Sequence, residues 1–165
     1  MFSNRVSQTL HDEHQATVAL MERLDRFIAN NRRSPPNARD PATAQFLREL
    51  SGGVEAEVNR HFDFEEQHLF TYLQTIGDEA IGAHLTDEHS AMRPLGEKLA
   101  ALARAGETGG FDAASWEEFR RTGLELCERM LVHVQKEEMA LLPLLEESMD
   151  GETEAQLYEA YVGNG

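Results

Sequence analysis

The sequence predicts an all-α protein, an up-down-up-down antiparallel four-helix bundle with a short C-terminal helix, and three observations lead to this prediction. Four long segments and one short segment carry apolar residues at helical spacing. Short connections containing proline or glycine separate the long segments. No segment alternates like a strand. The 165 residues are predicted to form a single domain, 1–165, with a core bundle at about 5–148.

The first two helices are predicted on either side of a proline-containing loop. The first runs from about Arg5 to Asn30, and the loop covers Asn30–Asp40. Pro41 suits the first position of the second helix, which is predicted from about Ala42 to Ile76. One stripe along this second helix is apolar at its start and then changes to histidine and glutamate.

The remaining helices are predicted from the same periodicity. The third runs from about Asp78 to Ala105, and Pro94 inside it is expected to kink it. The glycine-rich segment Gly106–Gly110 is expected to close it. The fourth runs from about Asp112 to Ser148, and a short helix at about Glu152 to Val162 is expected to cap the bundle.

The composition excludes several classes of partner and site. A formal net charge of -15 repels phosphate backbones, which argues against nucleic acid as a partner. The apolar runs are too short to span a membrane. The single cysteine, Cys127, excludes a cysteine-based metal cluster. Because Met1–Leu10 shows no secretory signal pattern, the expected location is the cytoplasm.

An internal repeat relates the first helix pair to the second and points to the chemistry. Leu10–His14 matches Leu85–His89 at an offset of 75 residues, and a His-x-x-x-Glu-Glu motif at 61–66 matches another at 133–138 at an offset of 72. Residues four apart share one face of an α-helix, so each motif directs an imidazole and a carboxylate inward. The predicted metal ligands are His14, His61, Glu65, His89, His133 and Glu137.

Physical chemistry favours a metal at these positions. Carboxylates and imidazoles in a bundle core are costly to bury if they are unpaired, and divalent cations remove that cost. Imidazole with carboxylate suits iron, manganese or zinc. A bundle whose inward polar layer is satisfied by hydrogen bonds alone, with a purely structural role, is the alternative.

Three further histidines are candidates for an extra ligand or for a hydrogen-bond partner of a ligand. His11 competes with His14, but the repeat pairs His14 with the third-helix histidine. His84 precedes His89 by five residues, roughly 140° around the helix, so it is expected to be exposed or beside the site. His68 lies on the inward face as an extra ligand, a proton relay or a hydrogen-bonded core residue.

Four glutamates adjoin the predicted ligands in sequence. Each is rotated by roughly 100° from its neighbour, which favours solvent or a helix–helix contact, and one or two are expected to bond a ligand imidazole. These residues are Glu13, Glu66, Glu88 and Glu138.

With these motifs in order, one per helix, the chain resembles the hemerythrin family, more narrowly the hemerythrin-like HHE cation-binding domains, over about Arg5 to Ser148. The resemblance implies a left-handed four-helix bundle around two iron ions joined by an oxo or hydroxo bridge. It implies His14 and His61 on one iron, His89 and His133 on the other, and Glu65 and Glu137 as bridging ligands.

The sequence departs from the oxygen-carrying hemerythrins. Those proteins have His-x-x-x-His on the third helix and His-x-x-x-x-Asp on the fourth, whereas this chain has His84 and His89 five apart and then His-x-x-x-Glu. The pattern is closer to four-histidine, two-glutamate members, which include stress-response and iron-sensing domains. Four histidines and two bridging carboxylates leave a coordination position open on each metal, so we expect a centre that binds or reacts with dioxygen, nitric oxide or peroxide. Similar proteins indicate a role in stress response or iron handling.

One further function fits the same pattern. The chain is also interpreted as a sensor or interaction module, in which the metal state sets the stability of the bundle and a protein partner, not identified by the sequence, reads it. Reversible binding of a small molecule and enzymatic turnover are both compatible with the predicted donor set.

Overall fold

The computed structural model describes residues 2–163, and within that range the regular structure is entirely helical. The five helices are α1 (Arg5–Asn30), α2 (from Pro41 to Thr75), α3 (Glu79–Gly109), α4 (from Ala113 to Ser148) and α5 (Gly151–Gly163). No strand occurs between residues 2 and 163. The predicted all-α class is therefore confirmed.

Side-chain caps begin three of the four long helices, α1, α2 and α4, close to the predicted starts. The Asn4 side chain accepts a hydrogen bond from the backbone N–H of Ser7 at 2.7 Å. Asp40 caps α2, and Pro41 follows as the first helical residue, as predicted. Asp112 and Ser115 cap α4 reciprocally, each side chain accepting from the other's backbone N–H.

The end of α3 differs from the prediction. The third helix is predicted to end at about Ala105 and to be closed by Gly106–Gly110, but α3 continues through Gly109. Phe111 packs so closely over Gly106 that a Cβ there would lie 2.2 Å from the ring. The absence of a side chain at Gly106 therefore allows Phe111 to pack against α3. The helix ends at Gly110, whose φ of +74° suits a residue without a side chain. The helix also passes through Pro94 without interruption.

Three wide π-helical turns interrupt the α-helical hydrogen bonding of α2 and α4. In α2 they cover Ala56–His61 and Glu65–Leu69, between the α-helical segments Pro41–Glu55, Phe62–Phe64 and Phe70–Thr75. In α4, Glu137–Leu141 lies between Ala113–Lys136 and Leu142–Ser148. Turns of this kind are frequent at functional sites, and each of these three begins or ends at a predicted ligand.

The four long helices pack in pairs, with α2 and α4 each in contact with both α1 and α3. The start of α2 lies beside the end of α3, where Arg48 and Glu107 form an ion pair at 2.8 Å. The end of α2 lies beside the start of α3, where Phe70 covers Gly82. These two helices therefore run in opposite directions.

Two apolar clusters divide the interior. One lies toward the α1–α2 and α3–α4 connections and includes Leu24, Leu50 and Phe119. The other lies toward the opposite end and includes Leu10 and Leu141. Helix α5 packs on the second cluster, with Tyr161 at the edge of the Phe64 ring. In the part of the chain described, none of the helices combines the length and apolarity needed to cross a bilayer.

Candidate metal centre

The structure brings the six predicted residues together in the interior between the two apolar clusters. They form two groups of four, in each of which the ligand atoms lie within 4.8 Å of one another. The His14/His61 position is the group formed by those histidines with Glu65 and Glu137, and the His89/His133 position adds the same two glutamates to the other histidines. All six side chains are buried. The helices thus place two histidines at each position and share two carboxylates between them.

Both shared carboxylates reach toward both positions. Glu137 Oε1 lies 2.8 Å from His14 Nε2, and its Oε2 lies 3.3 Å from His133 Nε2. Glu65 Oε2 lies 3.5 Å from His61 Nε2, and its Oε1 lies 3.2 Å from His89 Nε2. Each carboxylate therefore has one oxygen at each position, which is the arrangement that a bridging ligand requires.

Four glutamates on the outside of the centre hold the histidines from behind. Each accepts a hydrogen bond from the Nδ1 of a histidine on a neighbouring helix. Together these four glutamates connect the four long helices in a closed ring, which we call the outer ring. The pairs are Glu13 with His61 at 2.7 Å, Glu66 with His89 at 2.7 Å, Glu88 with His133 at 2.9 Å and Glu138 with His14 at 2.8 Å. Carboxylates in this place orient ligating imidazoles and increase their basicity.

Sequence reasoning underestimated this ring, since it expected a bond of this kind from only one or two of the four glutamates. The signal was present in the repeat. Glu13 and Glu88 correspond at the offset of 75 residues, and Glu66 and Glu138 correspond at the offset of 72. Rotation by about 100° from a ligand does not point these side chains to solvent, because the adjacent helix brings a histidine to meet them.

The outer carboxylates determine which way each imidazole presents its lone pair. A carboxylate only accepts, so the proton of each neutral imidazole lies on Nδ1 and the Nε2 lone pair points to the centre. His89 Nε2 and His133 Nε2 face each other at 3.2 Å, and His14 Nε2 faces a Glu137 oxygen. Acceptors facing acceptors repel each other unless a proton or a cation lies between them.

Unpartnered polar atoms show that the residues fit a metal ion. Among the described residues, His61 Nε2, both oxygens of Glu65 and Oε2 of Glu137 are buried without a hydrogen-bond partner. Such atoms cost on the order of 1–3 kcal/mol each when they stay unsatisfied. All are nitrogen or carboxylate oxygen, the donors that suit iron, manganese and zinc.

The pKa values of the buried groups indicate a negative electrostatic potential at the centre. Burial alone would lower the pKa of His133, but attraction to Glu137 outweighs burial and raises the pKa to about 9. Burial also opposes the charged form of His61, yet nearby Glu57 and Glu65 hold its pKa well above the ordinary value. For Glu137, burial favours a higher pKa, but the histidines, His133 foremost, bring it well below its usual range. Positive charge is therefore strongly favoured at the centre.

Glu57 is a buried carboxyl that the sequence analysis did not single out. It is only 6% exposed, accepts a hydrogen bond from the Thr17 hydroxyl at 3.0 Å, and lies 3.7 Å from His61 Nδ1. Its Oε1 has no partner in the described structure, and burial raises its pKa. The available signal was its place one helical turn before His61.

Aromatic rings cover one side of the centre. Phe62 stacks on the imidazole of His89, with the ring centroids 3.8 Å apart and the planes 5° from parallel. Phe70 covers His89 at a centroid distance of 5.8 Å. These rings fix the His89 imidazole and keep water from it.

The three other histidines lie outside both groups. His11 contacts the outer carboxylate Glu138 and is partly exposed. His84 has a 59% exposed side chain and lies 3.1 Å from Lys136 Nζ, on the solvent side of the outer ring. His68 is half-buried, and its ring packs near Phe64 at a centroid distance of 5.5 Å. The structure therefore places His11 and His84 as neighbours of outer-ring residues, and His68 beside the apolar cluster.

Comparison with known proteins agrees with this geometry. No curated protein matches the chain. A family model described as the hemerythrin HHE cation binding domain matches residues 5–145, which is well over half of the sequence. The chain therefore belongs to the hemerythrin HHE cation binding domain family.

Proposed function

We propose that this protein binds two metal ions, iron in its functional form, with manganese or zinc as substitutes. His14 and His61 would hold one ion, His89 and His133 the other, and Glu65 and Glu137 would bridge them. The observation that carries the proposal is the set of buried, unpartnered donor atoms that converge from α1, α2, α3 and α4. The paired contacts between these helices support an up-down-up-down bundle as their scaffold.

We propose further that the centre binds or senses a small molecule, namely dioxygen, nitric oxide or peroxide. Two histidines and two shared carboxylates give each ion four donors from the protein, which is fewer than the six of octahedral iron. Iron bound there would supply the affinity for such molecules and the redox chemistry. The chain itself positions the donors through the outer glutamates and excludes bulk water with apolar clusters on both sides. A role in stress response or iron handling is consistent with this chemistry.

The first test is the metal content of the purified protein, with its visible spectrum in air and after reduction. We expect about two irons per chain and near-ultraviolet bands of an oxygen-bridged pair that bleach on reduction. His61→Ala should lose iron while it keeps its helicity, whereas His84→Ala, the same substitution at an exposed position, should retain both irons. Failure to take up metal from ferrous salt without oxygen would refute the proposal.

Melting with and without a strong chelator separates this proposal from a purely structural bundle. Metal that binds only the native state stabilises it by RT ln(1 + [L]/Kd), about 4 kcal/mol at a thousandfold excess over Kd. We therefore expect the chelator to lower the melting temperature of the loaded protein by several degrees. Equal melting temperatures would favour the structural alternative.

A further inference from the structure

Among the described residues, one arginine and one lysine contact the outer ring of glutamates, and both do so behind the His89/His133 position. Arg93 donates to Glu66 at 2.8 Å, and Glu66 holds His89. Lys136 contacts Glu88, which holds His133. Both outer carboxylates on this side are therefore neutralised by a fixed positive charge.

The outer ring differs behind the His14/His61 position. Within residues 2–163, no lysine or arginine lies within ion-pair distance of Glu13 or Glu138. Glu138 is shared between His11 and His14, and Glu13 contacts His61. A further carboxyl, that of Glu57, lies buried on this side only.

The two cations are not part of the internal repeat. The residue that corresponds to Arg93 at the offset of 75 residues is Val18, and the residue that corresponds to Lys136 at the offset of 72 is Phe64. Ligands and outer glutamates follow the repeat, whereas the cations replace apolar side chains. Asp63, which also accepts a hydrogen bond from Arg93, is half-exposed, so solvent screens its charge and it compensates Arg93 only in part.

We propose that the two metal positions are unequal, and that the His14/His61 position binds its cation first and more tightly than the His89/His133 position. This inference rests on the proposed function, because it requires two bound ions. The reason is electrostatic. Each cation lies one carboxylate away from a ligand imidazole and opposes a metal ion beyond it. Solvent weakens this repulsion more at Lys136, which is 42% exposed, than at Arg93, which is 25% exposed. A neutralised carboxylate also makes its imidazole a weaker donor to the metal.

The test is a titration of metal-free, full-length protein with Co²⁺ in competition with a chromophoric chelator. We expect two binding steps whose Kd values differ by roughly tenfold or more. Lys136→Gln should tighten the second step by about two- to fivefold and leave the first unchanged, because solvent screens the partly exposed lysine. Lys98→Gln is the matched control, since Lys98 forms an exposed ion pair with Glu118 across the same two helices, at 3.2 Å, and should change neither step.

The order of loading is tested by removing one histidine at a time. His89→Ala should keep one tight step close to the first step of the unaltered protein, and His14→Ala should keep only a weak one. The reverse pattern, or two equal steps in the unaltered protein, would overturn the inference while leaving the metal centre itself intact. Absence of Co²⁺ binding would overturn both. Circular dichroism checks folding, and Lys136→Gln retains every ligand, so it decides the matter even if a histidine variant unfolds.

Discussion

The His14/His61 and His89/His133 positions have the same donors but different surroundings. Each has two histidines, shares the same two glutamates and is backed by two outer carboxylates. Behind one position lie Arg93, Lys136 and the stacked ring of Phe62. Behind the other lie a buried carboxyl, a hydroxyl and a partly exposed histidine.

The difference shows that a repeated ligand set does not by itself produce two equivalent sites. The ligands and outer glutamates coincide in the two halves because each must lie at one place on a helix face to meet its partner. Residues one contact further out have no such geometric requirement. The difference in electrostatic potential between the two metal positions arises there, from charges that the repeat does not share.

The largest effect is expected at a residue that both positions use. Glu137→Gln removes one negative charge and one metal-binding oxygen from the bridge, so both Co²⁺ steps should weaken, each by roughly a hundredfold or more. The chelator competition measures the two steps, and Glu147→Gln, the same change at an exposed site on α4, should leave them unchanged.

A loss confined to one step would show that Glu137 serves a single ion. The two positions would then be separate sites that do not share Glu137 as a ligand.

An intermediate effect is expected from the outer glutamates taken one at a time. Glu13→Gln should weaken the first step and Glu88→Gln the second, each by about 10- to 100-fold, because a neutral amide orients and activates an imidazole less well than a carboxylate. Glu88→Gln also frees Lys136 from its partner, which adds to the loss at the His89/His133 position. Equal weakening of both steps by either variant would contradict the assignment of each outer glutamate to a single metal position.

The sequence predicted the helices from their periodicity, and it singled out the six residues because the internal repeat places them on the inward helix faces. Apolar and ligand residues at spacings of three and four define the helices and their inward faces, and the six candidate ligands lie on those faces. Pro41 marked the start of the second helix, and the structure confirms it as the first helical residue. The convergence of the six follows from these local rules.

The outer ring, the π turns and Glu57 depend on tertiary contacts that periodicity does not encode. The wide turn Ala56–His61 leaves the carbonyl of Val58 to accept a hydrogen bond from Arg93 of α3 at 2.6 Å. The matching segment of α4 is an ordinary α-helix, although the ligand motif is the same. A prediction from one helix at a time assumes ideal α geometry, so it does not anticipate a turn that a neighbouring helix stabilises.

The smallest effect is expected from the aromatic cover of the His89/His133 position. Phe62→Leu removes the ring stacked on His89, so that imidazole should become less fixed and the second Co²⁺ step should weaken by only a few-fold, with the first unchanged. Because Phe62 is fully buried, the free energy of unfolding should also fall, by about 1–2 kcal/mol. Phe119→Leu is the control, since that ring is equally buried but lies in the apolar cluster beside Trp116. It should destabilise the protein to a similar extent without changing either step, and an equal change in both steps for Phe62→Leu would mean that the ring supports the whole bundle, not one metal position.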